Sequence, residues 1–115
     1  MRSSKRSTAW LLAVGFVSWS TAARADIVDD WELIADNTGT KSGFHGGTVL
    51  IPNQAIMGLA VYDAAMAIDG KYQPYAVTPN APAGASLAAA VATSAHDVLV
   101  ALYPTQKAAL DGKLA

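Results

Sequence analysis

Asp63 is the first residue of this sequence to suggest chemistry, because it lies inside the apolar run GLAVYDAAMAID, residues 58–69. A general acid or base needs a partner group and a cleft. No second carboxylate stands three or four residues after Asp63, and Asp69 follows six residues later. We therefore predict that Asp63 is a structural carboxylate, hydrogen-bonded to the backbone of a neighbouring helix or loop.

His45 and His96 are the two histidines of the chain, which has no cysteine. A structural zinc ion takes four protein ligands and a catalytic one usually takes three, so two histidines would have to recruit carboxylates. His96 and Asp97 are sequence neighbours, and on a helix we expect neighbouring side chains to point away from each other. The residues therefore favour packed or capping imidazoles, and we assign no metal ligand.

Two other patterns resemble sites without meeting their requirements. Ser94 and His96 diverge by about 200° on a helix, so they cannot hydrogen-bond directly, and we expect the Ser94 hydroxyl to donate to a backbone carbonyl one turn earlier. The stretch GTKSG, residues 39–43, lacks the adjacent Gly-Lys pair and the preceding strand of a phosphate loop. The sequence thus assigns no catalytic residue and no cofactor-binding residue.

Residues 1–25 have the features of a signal peptide. A basic start with Arg2, Lys5 and Arg6 precedes an apolar stretch of about 12 residues, and Ala23-Arg24-Ala25 matches a cleavage site. A membrane-spanning helix needs roughly 20 apolar residues, so cleavage is favoured over anchoring. We predict an exported protein, periplasmic or extracellular, that does not bind a membrane after the signal is removed.

The composition of residues 26–115 limits the possible partners. They contain four lysines, no arginine and nine acidic residues, a formal charge of −5. Nucleic-acid binding is not expected, because neutralising phosphates requires clustered Lys and Arg. Without cysteine there is no disulfide or thiolate metal site. A chain of this size buries limited surface, so we expect a homo-oligomer, a partner or the remainder of a longer chain.

The spacing of apolar residues predicts an all-α fold, a partial bundle of three to four helices. The first helix should cover about Ile27 to Asp36, and a glycine-rich loop should follow from Thr38 to Pro52. Asn53 should cap a second helix that ends at Asp69, with Gly70 as its left-handed C-terminal residue.

The second half of the chain predicts a connector and two more helices. Pro74, Pro79 and Pro82 exclude regular structure before Ser86, which should cap an alanine-rich helix. Pro104 should end that helix, and Thr105 should cap the next one. The predicted stripe of the alanine-rich helix comprises Leu87, Val91, Ser94, Val98 and Ala101, with Leu99 and Leu102 beside it. The last helix stops in mid-pattern at Ala115, so we expect residues 26–115 to be an incomplete domain.

These residues resemble a known family. The Tyr62-Asp63-Ala64 core, the Tyr-x-Pro-Tyr connector ending at Tyr75 and the alanine-rich helix around Ala95-His96 are similar to the N-terminal helical region of bacterial vanadium-dependent haloperoxidase-like proteins, in the type 2 phosphatidic acid phosphatase superfamily. The resemblance extends over most of residues 26–115. It implies an all-α bundle and, for a longer parent protein, peroxide-dependent halide oxidation on vanadate or phosphate ester hydrolysis.

The family's active-site motifs have no counterpart in these residues. The resemblance implies a lysine, arginines and a Ser-Gly-His segment that lie downstream of the matched region, so no catalytic residue and no vanadate ligand is carried over. The leading hypothesis is an exported helical scaffold segment of a haloperoxidase-like or phosphatase-like protein. The alternative is a complete small periplasmic helical protein that acts by binding a partner.

Overall fold

A computed structural model describes residues 26–44 and 46–115. The predicted signal peptide, residues 1–25, and His45 lie outside the described residues. Those residues form helices and no strand, which confirms the predicted all-α fold. The elements are α1 (Ile27–Lys41), α2 (Gly47–Asp69), α3 (Leu87–Leu102), a short 3₁₀ turn (Pro104–Gln106) and α4 (Lys107–Leu114).

Helix α1 begins where the sequence predicted. The Asp26 side chain accepts a hydrogen bond from the Val28 amide at 3.2 Å, and Asp29 and Asp30 complement the positive end of the helix dipole. The helix continues past the predicted end at Asp36, because Thr38 and Gly39 are buried in the bundle. Tertiary packing therefore outweighs the poor helix propensity of glycine at this end.

The predicted loop from Thr38 to Pro52 is wrong at both ends. Its first residues belong to α1, and Gly47–Pro52 form the opening turns of α2. Pro52 lies inside the helix, where its missing N–H leaves the carbonyl of Thr48 without an i+4 donor. Thr48 is exposed, so water can take that place. The glycines and the proline of this stretch predicted a loop, although its other side chains are mostly apolar and the stretch from Gly47 is helical.

The sequence predicted that Asn53 caps α2, but Asn53 lies within the helix. Its side-chain amide donates to the hydroxyl of Tyr103 at 2.9 Å, and so joins α2 to the end of α3. The predicted C-terminal end of α2 is confirmed. Gly70 has a φ of 66°, and its N–H bonds to the carbonyl of Met66.

Residues 70–86 form the connector between α2 and α3 and contain no regular element, as the prolines predicted. Helix α3 then starts after Ser86, whose hydroxyl oxygen accepts from the Ala89 amide at 3.3 Å. The predicted cap is therefore confirmed. Thr105 is not a cap: α4 follows the 3₁₀ turn with Gln106 at its N-cap position, which forms no side-chain capping bond.

Helix α3 is central and packs against α1, α2 and α4, with its largest interface on α2. Its buried face follows the predicted stripe only in part. Val91 of the stripe and Leu99 beside it are buried, together with Ala95 and His96, while Ser94 and Val98 are half-buried and Leu87 and Ala101 are exposed. Apolar residues occupy most of the circumference of this helix, so their spacing did not identify the inward side. Ala95 is fully buried, and its small side chain allows neighbouring helices to approach closely.

One hydrophobic core holds the described bundle together. It draws residues from all four helices and from the tyrosine that ends α3: Trp31, Ala35, Met57, Val61, Val91, Ala95, Leu99, Tyr103 and Leu110. Tyr103 also packs against Phe44 at a ring-centroid distance of 5.9 Å. The turn after α1 is therefore fixed to the end of α3.

A comparison of two glycines tests this packing. A Cβ on Gly39 would overlap the Leu50 side chain and lie 3.0 Å from the Tyr103 hydroxyl oxygen, whereas a Cβ on Gly58 would meet nothing within 4 Å. Gly58→Ala should stabilise the protein by about 1 kcal/mol through helix propensity. Gly39→Ala has the same gain, but the Leu50 and Tyr103 side chains must shift to admit the methyl group, so we expect it to stabilise the protein less than Gly58→Ala. Urea unfolding followed by circular dichroism measures both; equal stabilisation would contradict the close approach of α1 and α2.

Candidate functional site

Asp63 faces the connector from the C-terminal half of α2 and is 1% exposed. Its carboxylate accepts three consecutive backbone N–H bonds. Tyr75 donates to Oδ1, while Ala76 and Val77 donate to Oδ2 at 2.9 and 2.8 Å. One residue earlier on α2, the Tyr62 hydroxyl donates to the Gln73 carbonyl at 3.1 Å. The connector is thus fastened to α2 by adjacent side chains.

This geometry confirms the prediction that Asp63 is hydrogen-bonded to backbone, with the connector as the partner. The backbone N–H of Val77 is the main cause that lowers the pKa of the Asp63 carboxyl; burial opposes it, and the N–H groups of Tyr75 and Ala76 lower the pKa further. A carboxyl with a lowered pKa is ionised at neutral pH and so is a poor general acid. Its three donors are backbone groups with no proton to exchange in catalysis. The arrangement suits anchoring rather than proton transfer.

His96 is another buried polar residue, and it joins α3 to α4. Its Nε2 lies 2.9 Å from Asp111 Oδ1, and its Nδ1 lies 2.9 Å from Asp97 Oδ1. Lys107 donates to the other oxygen of Asp111. We call these four residues, His96, Asp97, Lys107 and Asp111, the His96 cluster. The edge of the imidazole packs against Trp31 of α1, with ring centroids 6.4 Å apart.

The expectation that His96 and Asp97 point apart is wrong. Successive Cα–Cβ bonds on a helix diverge, but the Asp97 carboxylate reaches back to Nδ1. The contact between His96 and Asp111 was not predicted. A signal for it exists in the sequence, because the two residues stand eight before and seven after Pro104. In two helices joined by a tight turn at Pro104, such positions lie side by side.

The hydrogen bonds to Asp97 and then to Asp111 raise the pKa of His96, and burial opposes them. The pKa of Asp111 is lowered, first by Lys107 and then by His96. The Ser94 hydroxyl donates to the Val91 carbonyl at 3.0 Å, as predicted, and is not turned to His96. Because carboxylates occupy both ring nitrogens, His96 is not placed to activate a nucleophile.

The described residues contain no group of three His, Cys, Asp or Glu side chains that could hold a metal ion. In the His96 cluster the two carboxylates lie against opposite ring nitrogens, so they do not converge on one point. The other candidate, His45, lies outside the part of the chain that the structure describes. Gly39, which opens the GTKSG stretch, is buried in α1 and not in a phosphate-binding loop.

The surface of α2 carries several large apolar side chains that the bundle leaves exposed. Residues 42–62 contain no charged side chain of Lys, Arg, Asp or Glu. On one side of α2 this stretch exposes five residues, which we call the apolar face of α2: Ile51, Pro52, Ala55, Ile56 and Leu59. Ile51 is 65% exposed and Ile56 is 48% exposed. A contiguous apolar surface of this kind is typical of an interaction site.

Helix α2 is also the one helix among residues 26–44 and 46–115 that is long and apolar enough to cross a membrane, judged by length and composition alone. Most of its apolar window is not buried within the bundle. Asp63, however, lies on this helix and is ionised. A charged side chain inside a bilayer is costly, so an interface with protein suits α2 better than a lipid core.

A second apolar surface lies where α2, the connector and α3 meet. A groove of about 430 Å³ runs between α2, the connector and α3. Small side chains dominate its walls, including Ala60, Ala64 and Ala67 of α2 and Ala90 of α3. Both alanine-rich helices therefore leave apolar surface accessible in addition to the interface they share.

Comparisons of the chain with protein-family models, with curated proteins and with solved structures find no match.

Replacement of Asp63 tests its anchoring role. Asp63→Ala leaves three backbone N–H groups without their acceptor, so the melting temperature should fall by roughly 10 °C or more. The matched control is Asp69→Ala on the same helix, where an exposed carboxylate forms a surface ion pair with Lys71 at 3.4 Å and should have little effect. Equal melting temperatures for the two variants, measured by circular dichroism, would contradict an anchor at Asp63.

The same bonds predict a pH dependence at the acid end. Because the folded-state pKa of Asp63 is lowered, its stabilisation is complete above the unfolded value of about 3.9 and is lost as the pH falls through the lower folded value. Asp63→Asn should therefore flatten the loss of stability below about pH 4. Urea unfolding at a series of acidic pH values measures this, and an unchanged acid limb in the variant would count against it.

Proposed function

We propose that residues 26–115 are a non-catalytic helical scaffold that docks further helices on the apolar face of α2, within an exported protein of the haloperoxidase-like or phosphatase-like type. The observation that carries the proposal is the face itself. Its large side chains are exposed in the described bundle, and fully burying an Ile or Leu contributes about 1.5–3 kcal/mol each. Such a surface gains most from a partner that is itself apolar.

Charge supports the same interpretation. Residues 26–115 carry a formal charge of −5, yet no Lys, Arg, Asp or Glu lies between Lys41 and Asp63. A second helix that is also acidic is repelled least where the surface of this acidic molecule carries no charge. Charged residues are depleted at the buried centres of protein interfaces for the same reason. The apolar face of α2 is thus suited to a helix of the same protein or of a partner.

The polar groups support scaffolding over chemistry. The carboxylate of Asp63 accepts hydrogen bonds from the connector, and His96 hydrogen-bonds Asp111 where α3 packs against α4. The resemblance to haloperoxidase-like proteins implies vanadate or a phosphate ester as a ligand of the parent. Tetrahedral oxyanions need several converging cationic or N–H donors, and residues 26–115 have no arginine. Of their four lysines, Lys71 and Lys107 pair with carboxylates. These residues do not fit vanadate, so we assign its binding to other parts of a parent protein.

The alternative is a complete small periplasmic protein that binds a partner, or a second copy of itself, through the same apolar face. The apolar face of α2 is compatible with both hypotheses, because it can be buried by a helix of the same chain or of another protein. The gene beyond the Ala115 codon distinguishes the two. A downstream Ser-Gly-His segment with flanking arginines supports the scaffold, whereas a stop codon directly after the Ala115 codon would remove it and favour the partner-binding protein.

A charge placed on the face tests docking in either form. Ile56→Glu should abolish association of the chain with its partner helices, since a carboxylate would be buried unpaired. Leu33→Glu is the matched control, because Leu33 is 64% exposed on α1, away from the apolar face of α2. Sedimentation velocity of the chain and co-purification with any downstream segment supply the readouts. Association that survives Ile56→Glu unchanged would exclude the face, and flotation with uncharged lipid vesicles would instead assign it to a membrane.

A second measurement addresses the oxyanion. Titration of the chain with orthovanadate or phosphate, followed by vanadium or phosphorus NMR, should show no saturable binding, because Lys71 and Lys107 pair with carboxylates and residues 26–115 have no arginine. Stoichiometric binding of either anion would contradict the scaffold proposal and would place chemistry within these residues.

A further inference from the structure

Helix α4 depends on few contacts for its position. It has eight residues, and a helix this short is not stable in isolation. Among its residues, Leu110 is the one that is buried, at 1% exposure. Asp111, the next residue, contacts His96 of α3. The attachment of α4 therefore rests on one apolar side chain and on the His96 cluster.

The protonation state of His96 determines how many hydrogen bonds its ring can donate to the two carboxylates of the cluster. Both ring nitrogens lie 2.9 Å from carboxylate oxygens. A protonated imidazole donates a hydrogen bond from each nitrogen, whereas a neutral imidazole has one N–H and presents a lone pair at the other nitrogen. After deprotonation, one of the two carboxylates would face that lone pair without a proton between them. The observed contacts thus fit the imidazolium form.

Among the described residues, the groups around His96 do not reverse this preference. On its own helix the charged neighbour is Asp97, and α4 contributes Asp111 with Lys107 behind it. Helix α1 presents the uncharged ring of Trp31. Within the described part of the chain, α2 adds no ion pair to the cluster. Two carboxylates therefore lie against one imidazole, and the lysine of the cluster is paired with Asp111.

We propose that the His96 cluster is a pH-sensitive latch, in which the His96 imidazolium holds α4 on α3 at mildly acidic pH and its deprotonation releases α4. Release would uncover Leu110 and the side chains of α1 that α4 faces across their shared depression, among them Ile34 and Thr38. Opening would thus add a further apolar surface to the bundle. The latch is independent of the proposed docking on α2, which uses a different helix face.

The direction of the pH dependence follows from the two shifted groups. The folded-state pKa of His96 is raised, so its contribution is complete below the unfolded value of about 6.5 and is lost as the pH rises through the higher folded value. The folded-state pKa of Asp111 is lowered, so its contribution exists above about 3.9 and is lost as the pH falls through the lower folded value. The latch is tightest between about pH 4 and 6.5.

Amide hydrogen exchange of the full chain, corrected for the intrinsic pH dependence of exchange, measures the latch. Between about pH 5.5 and 8.5, protection in α4 should fall several-fold, while protection in the middle of α2 should change less. His96→Gln should remove the difference between the two pH values. His45→Gln is the matched control, since it deletes the other histidine, and it should leave the pH dependence of α4 intact.

Three results would overturn the latch. They are equal protection of α4 at both pH values in the wild-type chain, a pH dependence that survives His96→Gln, and one that disappears in a folded His45→Gln. If His96→Gln fails to fold, Asp111→Asn is used instead. This variant keeps the His96 imidazole and weakens its hydrogen bond at Nε2. In that variant an undiminished pH dependence would equally reject the proposal.

Discussion

The bonds from the connector to Asp63 are the constraint on which the bundle depends. Helices α2 and α3 share the largest interface, yet 17 residues without regular structure separate them. Three consecutive backbone N–H groups bind one carboxylate, so the middle of this connector is fixed to α2 before the chain turns into α3. Charge-assisted bonds of this kind are the stronger class of hydrogen bond, and burial protects them from competition by water. The direction in which α3 returns along α2 depends on that attachment.

The remaining polar contacts also join one element of the bundle to another. Asn53 binds the hydroxyl of Tyr103, and His96 binds Asp111. Each contact joins helices that the apolar core also holds, and all buried side-chain polar atoms of the described residues find partners. Polar groups that are fully used in structure leave little capacity for chemistry. Apolar surface remains available, above all on α2, and this is why the proposed function is docking and not catalysis.

Local chemistry determines the parts of this fold that could be predicted from the sequence. The cap at Ser86, the left-handed Gly70 and the backbone-bound role of Asp63 are predictable from residue type and spacing alone. Prediction failed where packing outweighs local preference. Gly47 and Pro52 predicted a loop, although the helix that contains them is continuous, and the many alanines of α3 left its inward face undefined. The contact between His96 and Asp111 depends on how two helices meet at Pro104, which periodicity within either helix does not encode.

Asp63 is the ionised acceptor that anchors the connector. The sharpest test of this role is amide exchange at Tyr75, Ala76 and Val77, followed by NMR in the full chain as the pH is lowered. These amides belong to exposed residues, so exposure alone predicts fast exchange. We expect slow exchange at all three, lost together as one carboxyl titrates below its ordinary range. Exchange at unstructured rates near neutral pH, or loss at three separate pH values, would contradict the anchor.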